Sequence, residues 1–175
     1  MFSQEFENEY FGGLKQARAD AAALVPAFAE LAKAADDREL TEALRTHVND
    51  LSHEVDRLGE LHLPDDGGET DETIAVLAAR ALRTIAAAPA GALRDAAMIA
   101  AIQHVQHYQI ATFGTLAAYA KMLGRHDEKR VLGAFLEDER AFDEDLTVIA
   151  GGILAPIEAP MAARSLAVAS MLQAS

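Results

Sequence analysis

The chain has 175 residues, 51% of them apolar and many of those alanine, enough for one domain with a sizeable core. It has no cysteine, which excludes disulfides, thiolate metal sites and a cysteine nucleophile, and its formal charge of −13 argues against nucleic acid, whose phosphates are bound by clustered Lys and Arg. The N-terminus, Met1-Phe2-Ser3-Gln4-Glu5, is acidic where an export signal is basic and then apolar, so cytoplasm is the expected compartment; no stretch reaches the roughly 20 charge-free apolar residues of a membrane span, and no membrane partner is expected.

Phe6, Tyr10, Leu14, Ala17, Ala21, Leu24, Phe28 and Leu31 recur at helical spacing and predict a first helix from about Ser3 to Ala35. Pro26 is expected to kink it, and Gly12-Gly13 to weaken it. Asp36-Asp37 then marks a turn and N-cap into a second helix, with Leu40, Leu44, His47/Val48, Leu51, Val55 and Leu58 on its face and an end near Leu61. Leu63-Pro64-Asp65-Asp66-Gly67-Gly68-Glu69 reads as a surface loop; its acids lack the alternating spacing of a calcium loop.

A short helix from Thr73 to about Ala88 leads through Pro89-Ala90-Gly91 into a long one, Leu93 to Leu123, with Gly124 as C-cap. The last core helix runs from His126 or Asp127 to Ala150 and is expected to stop at Gly151-Gly152. The reading is therefore all-α, with residues 1–150 a four-helix bundle that carries a short extra helix in its long connection. Residues 151–175, which hold Pro156 and Pro160, form a C-terminal extension packed on the bundle or on a partner chain.

Polar residues interrupt two core stripes. Gln106 and Gln109 fall among Ile99, Ile102, Ile110, Phe113 and Leu116, and Glu139 falls among Leu132, Phe135, Phe142, Leu146 and Ile149. Burying such groups is costly unless each finds a partner, so the two stripes are expected to face each other. Bundles that bind two metals use inward Glu and Glu-x-x-His side chains, because iron and manganese take oxygen and imidazole ligands. The candidates here are Asp50, His53 and Glu54 on the second helix, Gln106 and Gln109 on the long helix, and Glu139 and Asp143 on the last. His47 and His53 read as surface or boundary residues, and His104, Tyr108 and Tyr119 as having no chemical role. The runs Glu137-Asp138-Glu139 and Asp143-Glu144-Asp145 read mainly as a solvated helix face, and no nucleophile elbow or phosphate loop is present.

The segment Asp95-Ala96-Ala97-Met98-Ile99-Ala100-Ala101, continuing through Gln106-His107-Tyr108-Gln109-Ile110 to Phe113-Gly114-Thr115-Leu116, resembles the third bundle helix of the YciF-type ferritin-like proteins, bacterial and associated with stress. Leu136-Glu137-Asp138-Glu139-Arg140 with Asp143-Glu144 and Leu146-Thr147 is similar to that family's fourth helix, and His47 with Val55-Asp56-Arg57-Leu58 to its second. The likeness spans roughly residues 5 to 150 and includes the position of His107, which makes His107 the favoured histidine. It implies a ferritin-like fold and a place for a dimetal centre.

The departures fall on the ligands. Where the family has glutamates on either side of His-Tyr, this chain has Gln106 and Gln109. Aligning Lys15-Gln16 with the family's first helix puts Leu14 at the ligand position; other registers put Arg18 or Ala21 there, with Asp20 nearby. Neutral amides bind and neutralise a dimetal centre poorly. The first reading is therefore a stress-associated binding or structural protein with a degenerate site, no cofactor, and assembly as a homodimer. A surviving iron or manganese site that reacts with oxygen or peroxide, and a carrier of a small apolar ligand, remain as alternatives.

Overall fold

The computed structural model describes the backbone of residues 2–61 and 72–173 and the side chains of residues 4–61 and 72–158. Five helices follow in order: α1 (Phe2–Ala34), α2 (Arg38–Gly59), α3 (Thr73–Ala87), α4 (Ala92–Met122) and α5 (His126–Gln173). The described residues contain no strand. α1 packs along α2 and α4 along α5, α3 lies against α4 and α1, and contacts from α1 to α4 and from α2 to α5 close the bundle. The expected loop at Leu63–Glu69 falls outside the described residues.

α1 runs without a break through Gly12-Gly13 and Pro26. At Gly13 a Cβ would lie 2.7 Å from Leu116 Cδ2 on α4, so a larger residue there would have to push the leucine methyl aside. The expected stop at Gly151-Gly152 does not occur, and α5 continues to Gln173. Each glycine costs about 1 kcal/mol in a helix interior. Ile149 and Ile153, on either side of the pair, are both buried in the core, and burial of an isoleucine returns roughly 2 kcal/mol. Core packing thus carries the helix past its weakest point.

The apolar core falls into two blocks. One gathers Leu24, Phe28 and Leu31 with Leu44, Leu51, Ile102, Phe142 and Leu146. The other gathers Tyr10, Leu14, Leu58, Phe113, Leu132 and Phe135. Between Leu51 and Leu58 on α2, Val105 and Phe113 on α4, and Phe135 and Phe142 on α5 lie the polar positions described below.

Each end of the bundle is held by a buried or half-buried acid. At one end, Asp95 on α4 is buried and accepts from the backbone N–H of Asp36 (3.1 Å) and of Asp37 (2.7 Å) in the turn between α1 and α2. Asp37 in turn caps α2 by accepting from Leu40 N at 2.9 Å, while Asp36 accepts from Gly91 N at 2.6 Å and from Arg94 at 2.8 Å. Arg94 also donates to the Ala34 carbonyl, the end of α1. At the other end, Tyr10 donates to Glu128 at 2.6 Å, and Arg125 holds the same carboxylate and lies 4.9 Å from the Phe11 ring centre. The turn before α5 closes on Gly124 at φ 71°, with Arg125 N bonded to Ala120 O at 2.9 Å and Gly124 N to Lys121 O at 3.2 Å.

Asp95→Ala leaves the Asp36 and Asp37 N–H groups without their carboxylate, and is expected to cost about 3 kcal/mol of stability. Asp95→Asn, which keeps an acceptor oxygen, should lose about half of that. Urea unfolding midpoints of the two variants check the order.

Candidate functional site

The site is the polar layer between the two apolar blocks. On α2 the inward stripe is Leu40, Leu44, His47, Leu51, Glu54 and Leu58; the register differs by one position from the expected Val55, so Glu54 faces the centre. α4 adds Gln106 and Gln109, and α5 adds Glu139. None of these five side chains is more than 3% exposed. α1 passes the layer with Ala17 and Ala21, which leaves the space to the other helices.

His47 is held on three sides. Its ring stacks on Phe142 with centres 3.9 Å apart and planes 11° apart, and Phe28 lies tilted at 5.1 Å. Gln106 Nε2 donates to His47 Nε2 at 3.1 Å, which places the imidazole proton on Nδ1. Glu139 Oε2 is 3.9 Å from the same nitrogen. Burial lowers the His47 pKa to about 3, so the ring is neutral at pH 7 and this contact is not an ion pair.

Glu54 and Glu139 each act on the other's proton affinity across the layer. Burial raises the Glu54 pKa to about 10, helped by the charge and hydrogen-bonding capacity of Glu139 and then by Asp138 and Asp50. Burial also raises Glu139, to about 8, while Glu54 and Gln109 as hydrogen-bonding neighbours pull it back. Among the described residues no Lys or Arg is buried. Without the acid protons, Glu54 Oε2, both Glu139 oxygens, Gln106 Oε1 and the whole Gln109 amide lack a partner in hydrogen-bond geometry. Acceptor atoms outnumber donors in this set.

The other polar residues considered are exposed or half-buried, apart from Asp20. Asp50 and His53 are exposed on α2. Asp143 is half-buried at the edge, with Oδ2 3.9 Å from Nε2 of an exposed His107. His104 is exposed and turned to the Ala100 carbonyl at 2.7 Å. Asp20 is buried on α1 and accepts from Gln16 at 2.7 Å. His47, expected at the surface or boundary, is the histidine of the layer, and His107, favoured by the family resemblance, is exposed outside it. The signal for His47 was present: it interrupts the leucine stripe of α2 as the glutamines interrupt that of α4. An open groove of about 470 Å³ between α2 and α5, lined by Glu42, Asp50, Asp138 and Asp145, reaches His47 and Phe142.

A dimetal centre does not fit this donor set. Two carboxyls, one imidazole already accepting from Gln106, and two neutral amides offer little negative charge to a pair of divalent ions. Among the described residues no group of three or more His, Asp and Glu side chains is gathered closely enough to hold a metal ion.

Because Glu54 and Glu139 bind protons more tightly when folded, stability is expected to fall as pH rises from the ordinary glutamate value near 4.5 through about 8 and about 10. The slope should approach about 1 kcal/mol per pH unit where one group dominates. His47 works in the opposite sense: its neutral burial stabilises above 6.5, and that contribution is lost as pH falls toward about 3. Glu139→Gln should flatten the alkaline limb, so that the variant gains on the wild type between pH 6 and 9 in urea titrations. Parallel curves would contradict the coupling.

Residues 6–156 match the model of a domain of unknown function, DUF892. Protein YciF of Escherichia coli (strain K12) is 33% identical over 131 residues, which are 73% of this chain and 79% of YciF. The crystal structure of the E. coli stress protein YciF superposes with a TM-score of 0.80 at 30% identity, covering 86% of this chain and 97% of that one. YcfI from Rhodopseudomonas palustris, provisionally described as a structural protein, superposes with a TM-score of 0.74 at 28% identity, over 81% of this chain and 92% of its own. With the helical bundle, the family match and the YciF likeness all spanning most of its length, this chain belongs to the DUF892 family and is of the YciF type.

Proposed function

We propose that this protein is a ferritin-like, stress-associated structural protein whose core holds protons where a dimetal centre would sit, and that it is not an enzyme. The observation that carries this reading is the pairing of Glu54 with Glu139, both buried, both with raised pKa values and faced by the neutral Gln106 and Gln109. A carboxyl that keeps its proton at pH 7 is a hydrogen-bond donor and a poor metal ligand. The association with stress comes from the likeness to the E. coli stress protein YciF, and the structural role from the likeness to YcfI. The protein has no resident cofactor on this reading.

The rival reading, a mono- or dimetal iron or manganese site using Asp50, His53 or Glu54 with Glu139 and Asp143, would have to turn Asp50 and His53 inward from exposed positions on α2. A small apolar ligand has no observation in its favour at the centre, which the polar layer fills.

Protein purified with added iron or manganese is expected to carry far less than one core-bound ion per chain by elemental analysis. The double substitution Gln106→Glu with Gln109→Glu should introduce a manganese-dependent rise in melting temperature that the wild type lacks. Stoichiometric metal in the wild type that disappears with Glu139→Ala would overturn the proposal.

A further inference from the structure

The groove between α2 and α5 is charged in one sense only. It holds five carboxylates, Glu39, Glu42, Asp50, Asp138 and Asp145, and no Lys or Arg is among its lining residues. Among the described residues none of the five has an ion-pair partner. Asp50 registers the crowding: its proton affinity is raised, by burial first and then by the charge of Asp138.

The acids stand at the two ends of the groove. α2 and α5 run antiparallel here, since His47 stacks on Phe142 while Glu54, further along α2, meets Glu139, further back on α5. Asp50 and Asp138 therefore form one end, and Glu39, Glu42 and Asp145 the other. From Glu42 to Asp50 on α2, and from Asp138 to Asp145 on α5, the rise of the helix sets the two ends about 10 to 12 Å apart. The floor between them is Ala43, Ala141 and the Phe142 ring.

At mid-length the groove reaches His47, which is 3% exposed. Its Nε2 is turned to Gln106 and the polar layer. The two ring nitrogens of an imidazole point to nearly opposite sides, so Nδ1 is turned to the groove, and it has no hydrogen-bond partner among the described residues. A buried polar atom aimed between two acidic ends calls for a ligand that is polar at its centre as well as cationic at its tips.

We propose that this groove binds a linear aliphatic polyamine of spermidine length, with a terminal ammonium in each acidic end and the central nitrogen on His47 Nδ1. The single bonds between the terminal nitrogens of spermidine span roughly 11 Å when extended, which matches the spacing of the ends. Its methylenes lie on Ala43, Ala141 and Phe142, where they lose water without losing hydrogen bonds. A metal ion fits less well, because among the described residues no three acids or imidazoles are gathered closely enough to hold one. Gln106 can bond to Nε2 with either end of its amide, since its Oε1 has no donor in the free protein. With Oε1 turned to Nε2, one proton leaves Nδ1 as another enters at Nε2; the ring stays neutral, and Nδ1 accepts from the central ammonium. The site does not depend on the protons of Glu54 and Glu139, so its failure would leave that reading intact.

Isothermal titration at about 0.15 M salt, where diffuse attraction is largely screened, is expected to show one spermidine bound per chain. 1,8-Diaminooctane, equally long but without the central nitrogen, should bind more weakly than spermidine. Putrescine, a dication like diaminooctane but only about 6 Å long, reaches one end and should bind most weakly of the three. Asp50→Asn with Asp138→Asn, both exposed, should weaken spermidine roughly tenfold or more, while Glu5→Gln with Glu9→Gln, the same change of net charge on α1, should not. Nitrogen-15 spectra should show the His47 proton move from Nδ1 to Nε2 on binding. No binding of spermidine, equal losses in the two double variants, putrescine binding as tightly as diaminooctane, or a His47 proton that stays on Nδ1 in the complex would each overturn the proposal.

Discussion

The burial of two carboxyl groups at mid-height of the bundle is the constraint on which the rest depends. A buried acid without a cation is tolerated when it is protonated and bonded, and Glu54 and Glu139 meet the first condition through their raised pKa values. Even so, the layer contributes less than leucines at the same positions would. Stability must come from the apolar blocks on either side, and from helix ends fixed firmly enough to keep the layer closed.

The ends show how differently the same chemistry is handled where partners exist. Asp95 meets two backbone N–H groups, and Asp36 meets a backbone N–H and a guanidinium. Glu128 meets Tyr10 and Arg125, which hold its pKa down although burial pushes it up. Tyr10 is shifted upward, by burial first and then by Glu128. The acids at the ends meet backbone and side-chain donors; those at the centre have each other and two neutral amides as neighbours. The contrast follows from where Arg and backbone donors can reach, since helix interiors have no free N–H to offer.

Much of this was legible in the sequence. Gln106, Gln109 and Glu139 interrupt apolar stripes at unambiguous positions, and all three are buried. Helix limits were close wherever a cap or a Gly marked them, as at Asp37 and Gly124. On α2 the stripe was read through Val55, although Glu54 already stood among the candidate site residues; the structure turns Glu54 inward, and treating His47 as a surface or boundary residue hid the partner of Gln106. Asp95 gave no sign, because its partners are backbone groups in a turn about sixty residues away. The glycine pair misled because local propensity is weak against tertiary packing at Ile149 and Ile153.

The polar layer also determines how the helices are aligned lengthwise. Faces built largely of alanine and leucine look alike from one turn to the next, so an apolar bundle of this composition could slip by a turn, about 5.4 Å, and still bury similar surface. Here such a slip would set Glu139 against leucine and phenylalanine and strip Gln106 from His47. A few groups that add little to stability therefore give the protein a single vertical setting, and the polar layer becomes the mark against which its helices are aligned.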